Sequence, residues 1–207
     1  HDQDVELHLY SLWGGEPRFD ELEVQVFSKW QLITLPFWIA YWLVVRPLPM
    51  LQLVGKLLGS FPPALINLGE NLLGLGFALV HARRLGRQSG ILHAAWATAP
   101  GAAVQLIKAL TGRPYCQGAH AYDVFRDSGD WWLASKLPGA SLVVTSPQAT
   151  AEALLQRGAN PGKLAIVRRG LGEFPDLGLP RAVRKPIRLL CGGRLIEKKG
   201  YQRQLEI

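Results

Sequence analysis

Sulfur is scarce in this chain: 207 residues hold two cysteines and one methionine. Cys116 and Cys191 stand far apart, with no partner at ligand spacing. That excludes a disulfide framework and a CxxC metal or redox centre, and it fits a reducing compartment, here the cytoplasm. Charge is sparse too, at 19% of residues against 48% hydrophobic, so a disordered chain is excluded and a real core can form. No GxGxxG follows any strand, which disfavours a nicotinamide-dependent oxidoreductase. His8, His81, His93 and His120 lack ligand spacing among themselves or with acidic residues, so no metal site is expected. No basic, apolar and small-residue triplet marks a signal peptide. There is no initiator Met, His1–Asp4 runs into a strand-like Val5–Tyr10, and a helix opens at Gly200–Ile207 as the sequence stops. The expectation is a fragment cut at both ends.

Acidic residues are short in one place. Residues 1–156 carry 11 Lys/Arg against 12 Asp/Glu, whereas residues 157–207 carry 12 against 4. The whole excess of +7 therefore sits in the last quarter. Such a local excess reads as a site for an anionic ligand or as a solvated basic linker. A nucleic-acid surface would spread its charge more widely, so no nucleic-acid partner is expected.

The middle alternates short apolar strands with helices. Ile91–Ala94 is a strand; Pro100 opens a helix that runs to Thr111 and stops at Gly112. Tyr115–Ala119 is the next strand, and Trp131–Leu137 is helical. Ser141–Thr145 is a β-branched strand; Ser146 then caps a helix with Pro147 at its first position, ending at Gly158. Leu164–Arg168 is another strand. This order predicts an α/β fold, a doubly wound, Rossmann-like parallel sheet covered on both faces. Residues 1–170 form that domain, residues 171–186 have linker composition, and residues 187–207 begin a second domain.

Trp30–Val45 is uncharged, and between Gln31 and Val80 the charges are Arg46, Lys56 and Glu70. Sixteen residues interrupted by Pro36 fall short of the roughly 20 a transmembrane span needs. Two readings stay open: a buried pair of core helices, or a surface that dips into lipid headgroups and makes peripheral membrane contact.

The strongest chemical motif is Gly193–Gly200 (GRLIEKKG), which follows a strand and opens a helix. Arg194 and Lys199 bracket the loop, and two cations at a helix N-terminus suit a diphosphate. Taken with His93–Pro100 (HAAWATAP), His120–Asp123 (HAYD), Lys136-Leu137 and Ser141–Ser146 (SLVVTS), the motif makes the chain resemble the nucleotide-sugar-dependent glycosyltransferases of the GT-B fold. The resemblance is to glycosyltransferase family 4, above all its bacterial exopolysaccharide and colanic-acid type. It covers the chain from about residue 90 onward; residues 1–89 match only loosely.

The resemblance implies an N-terminal, acceptor-side lobe that lacks its first βα unit, and the start of a nucleotide-sugar-binding lobe. It implies sugar transfer from a nucleotide-diphospho-sugar to a glycan or lipid-linked acceptor, with retained anomeric configuration and no cofactor. Arg194 and Lys199 fall on the donor-diphosphate contacts, where they would offset charge on the leaving nucleoside diphosphate. His120 falls on the catalytic-cleft histidine, with Gly118 at the strand end beside it; the other reading is a structural histidine. Asp123 contacts acceptor or caps the following turn, and His93 supports its strand end. Gly172 stands where the family carries an Asp. The glycine-rich loop after the first strand is missing, and the paired glutamates would lie beyond Ile207, so the fragment itself is expected to be inactive. The alternative is a non-catalytic α/β module that binds a phosphate or nucleotide.

Overall fold

The computed structural model describes residues 5–168, residue 192 and residues 201–205. Three short strands come first: β1 (Leu9–Ser11), β2 (Arg18–Phe19) and β3 (Leu22–Val26). They form a small sheet in the order β1-β3-β2, with β1 parallel and β2 antiparallel to β3. The strand expected at Val5–Tyr10 thus starts late, at Leu9. A 3₁₀ turn (Lys29–Thr34) leads into α1 (Leu35–Val45), α2 (Pro47–Leu58) and α3 (Leu65–Leu85). Pro36 sits in the first turn of α1, where its missing N–H costs nothing, so it starts this helix instead of interrupting it. The break falls at Arg46, because Pro47 opens α2.

The expected alternation is found, with one helix more, α5, between the second strand and the helix after it: β4 (Leu92–Ala94), α4 (Ala99–Thr111), β5 (Tyr115–Gly118), α5 (Ala121–Phe125), α6 (Leu133–Gly139), β6 (Leu142–Thr145), α7 (Gln148–Gln156) and β7 (Leu164–Ile166). Pro100 lies in the first turn of α4, and Gly112 ends that helix in the left-handed region at φ 80°. One cap differs. Ser146 precedes a proline and is held off the helical region, so extended Pro147 is the N-cap of α7 and no side chain caps it.

β4 to β7 make a four-stranded, all-parallel sheet in the order β4-β5-β6-β7. Each crossover steps the same way across the sheet, and right-handed crossovers of that kind put their helices on one face. Burial agrees. Ala94, Tyr115, Gln117, Val143 and Thr145 point one way and are buried. On the other face, His93 and Leu142 are exposed, and Cys116 and Val144 are half-buried. The expected cover on both faces is therefore met on one face among the described residues.

α4 is the central element. Ala97 and Val104 join the cluster that seats it on the sheet with Tyr115, Val143 and Leu154. Its opposite side (Ala103, Leu106, Ile107, Leu110) packs against α3 through Leu75, Ala78, Leu79 and Ala82. α1 and α2 lie outside α3 and add Trp42 and Met50 to that second cluster. α3 is the one described helix long and apolar enough to cross a membrane, and its buried side chains are spent on this core.

The chain divides into two units, His1–Arg169 and Gly170–Ile207. In the second, α8 (Tyr201–Leu205) falls where the sequence opens a helix. The expected linker and the strand Ile187–Cys191 lie outside the described residues.

Candidate functional site

Parallel strands of an open sheet point their carboxyl ends at one edge, and ligands bind there. β5 ends at Gly118, Ala119 donates its N–H to the Val144 carbonyl at 2.9 Å, and His120 follows as the N-cap of α5. The backbone of His120 is extended (φ −116°, ψ 179°) and its N–H donates to Asp123 Oδ2 at 2.7 Å. That hydrogen bond is the capping role for Asp123, and it fixes the direction in which the half-buried imidazole leaves the strand.

Gly118 makes room for this arrangement. A Cβ at position 118 would lie 2.5 Å from the Ala95 carbonyl oxygen and 3.1 Å from His120 Nε2. The loop after β4 and the imidazole both occupy the space a side chain would fill. Sequence reasoning placed Gly118 beside the histidine; the structure shows why the residue is glycine.

Asp123 is fully buried, and removal from water pushes its carboxyl up to about 6 even though the backbone N–H groups of His120 and Thr98 pull it back. Its Oδ1 has no hydrogen-bond partner of normal geometry. Gln117 and Thr145, on the buried face of the sheet, also keep unpartnered side-chain polar atoms.

Beneath this edge lies a polar network that the sequence reading did not name, apart from Lys136. Lys136 Nζ is completely buried and donates to Asp130 Oδ2 at 2.6 Å, Asn71 Oδ1 at 2.7 Å and the carbonyls of Ala97 at 2.6 Å and Thr98 at 3.2 Å. Asn71 returns a hydrogen bond to Asp130 Oδ1 at 3.0 Å, and Asn67 accepts from the Trp131 N–H at 3.1 Å. Burial pushes Asp130 up and Lys136 down, while their mutual attraction pulls each back towards the charged form. Further out, Glu70 accepts from the Tyr122 hydroxyl at 2.8 Å. Lys56, lowered to about 8 by burial and by the nearby Lys136 charge, donates to Ser135 Oγ and stands 4.3 Å from the centre of the Trp132 ring.

The loop that presents Asp130 is strained. Asp127, Ser128 and Trp132 all have positive φ, at 50°, 70° and 71°, a region that costs a residue with a side chain on the order of 1 kcal/mol. The Trp131 and Trp132 rings stack at 4.0 Å, and Trp132 Nε1 donates to Ser60 at 2.8 Å, which holds the loop against α2.

A sequence signal for the network existed. Asn67, Glu70 and Asn71 recur at three- and four-residue spacing along an otherwise apolar α3, so they share one face. His93 is the exposed middle residue of β4, and no described group of three or more His, Cys, Asp or Glu side chains could hold a metal ion. Arg194 and Lys199 lie outside the described residues, as does Gly172. Compared with protein-family models, curated proteins and solved structures, the chain matches none.

Proposed function

We propose that this chain carries the acceptor-side domain of a nucleotide-sugar-dependent glycosyltransferase, with sugar passing from a nucleotide-diphospho-sugar to a glycan or lipid-linked acceptor and the anomeric configuration retained. The observation that carries the reading is His120: a half-buried imidazole at the carboxyl edge of a parallel sheet, its backbone locked by Asp123 and its ring seated over Gly118. Such a group can hydrogen-bond a sugar hydroxyl or a developing charge in the crevice without first being ordered. The cations for the diphosphate are Arg194 and Lys199, on the strength of their spacing in the GRLIEKKG loop.

The test is transfer or donor hydrolysis, over a panel of nucleotide-diphospho-sugars, by the full-length parent enzyme that carries this domain together with its nucleotide-sugar-binding lobe. His120→Ala and Arg194→Ala are each expected to lower kcat/KM by about a hundredfold or more, with unchanged circular dichroism. Turnover that is indifferent to both substitutions would refute the reading. Donor binding that survives in a chain without turnover would point to a binding module.

A further inference from the structure

Helices at the surface of a water-exposed protein bury one apolar stripe and turn polar residues outward. α1 and α2 do not. α1 packs inward through Leu35, Trp38, Tyr41 and Trp42. Its exposed positions, Phe37, Ala40 and Val44, recur at the same three- and four-residue spacing, continue Ile33, and are equally apolar. α2 repeats the pattern: Met50, Leu53 and Leu57 pack inward, while Leu48, Leu51, Val54 and Leu58 are exposed. Trp30 at 80% exposure and Phe61 at 94% flank the pair.

The charge on this stretch has one sign. No Asp or Glu occurs from residue 24 to residue 69. Lys56 is turned inward to Gln105 and Ser135, which leaves Lys29 and Arg46 as its exposed charges, one before and one after α1. An apolar surface whose own segment carries exposed charges of positive sign alone complements an anionic lipid surface. It is a poor self-complement, because a twofold pairing of copies would set its like charges against one another.

We infer that the outer faces of α1 and α2 dock on an anionic bilayer and lie in its headgroup region without crossing it. At 1.5 Å per residue, α1 is about 16 Å long, roughly half the hydrocarbon thickness. Exposed Trp30 and Phe37 are suited to the headgroup boundary. The inference does not depend on the sugar-transfer reading.

Flotation of the purified chain with vesicles of phosphatidylcholine, with and without phosphatidylglycerol, tests it. Binding is expected with phosphatidylglycerol and is expected to weaken as salt rises. Arg46→Gln is expected to weaken it about fivefold. The triple variant Phe37→Gln, Val44→Gln, Leu51→Gln alters exposed positions only; with circular dichroism unchanged, it is expected to lose at least about tenfold. The inference is overturned if the folded wild type stays out of the floating fraction at low salt, or if the triple variant floats equally well. A stable wild-type dimer that the triple variant converts to monomer would also overturn it, by assigning the surface to a second copy.

Discussion

At the scale of single residues, burial sets two titrations against each other. Asp123 moves from 3.8 to about 6 because its carboxyl is out of water. Its folded form therefore holds a proton that the unfolded chain has released, and stability falls as pH rises between about 4 and about 6, by about 3 kcal/mol from this group. His81 moves the other way, from 6.5 down to about 4, through burial and the neighbouring Arg84 charge. Here the unfolded chain binds the extra proton, so stability rises with pH between about 4 and 6.5. The two slopes oppose. Asp123→Asn keeps an acceptor for the His120 N–H and is expected to tilt the stability profile upward with pH relative to wild type between about pH 4 and 6; His81→Phe, packed on Phe27 and Phe77, is expected to tilt it downward between about pH 4 and 6.5. Urea unfolding at intervals across that range checks both signs, and parallel curves for all three proteins would contradict the assignment. Lys136 is a different case. Its ion pair with Asp130 carries a large desolvation cost, and it persists because Asn71 and the Ala97 carbonyl complete the ammonium's three hydrogen bonds.

Among elements, the crossing of α3 and α4 depends on one missing methyl group. A Cβ on Gly74 would collide with the Ala99 carbonyl in the first turn of α4. Gly74→Ala is expected to cost about 3 kcal/mol as the two helices separate. Gly55→Ala, in α2 with nothing within 4 Å of the added carbon, is expected to gain up to about 1 kcal/mol from helix propensity. Opposite shifts in the chemical-denaturation midpoint are the readout; a Gly74→Ala chain as stable as wild type would refute the close crossing. Local chemistry explains why these elements were legible beforehand. Pro100, Gly112 and the β-branched run Leu142–Thr145 mark boundaries through their own backbone preferences, and the structure keeps them. α5 was not legible. Its five residues are held by the reciprocal bond between His120 and Asp123, not by a hydrophobic period.

Across the whole molecule, strand order follows from rules of connection, but burial of the sheet does not. Alternation of strand and helix implied a parallel sheet; nothing local states that three successive crossovers put the described helices on one face and leave His93 and Leu142 exposed on the other. The candidate site divides in the same way. His120 was singled out through the family resemblance, at a position just past a strand, whereas the network beneath it hydrogen-bonds Lys136 to Asn71, 65 positions away, and pairings of that range cannot be read from spacing. The layering also orders local stabilities. Amides of β5 and α4, between the sheet and α3, are expected to exchange slowest with solvent deuterium, and those of β1 to β3 fastest. Faster exchange in α4 than in β3 would show that the small sheet, not α4, anchors the fold.

The seat of His120 has a consequence for the history of this sequence. Because the imidazole and the loop after β4 share the volume above position 118, the two sites are not free to vary separately. Among natural variants of this chain, any side chain larger than hydrogen at 118 is expected to arrive only with a rebuilt loop near Ala95, and a bulky one with a replacement at 120 as well. A lineage that kept histidine while gaining even alanine there would have had to re-route its main chain.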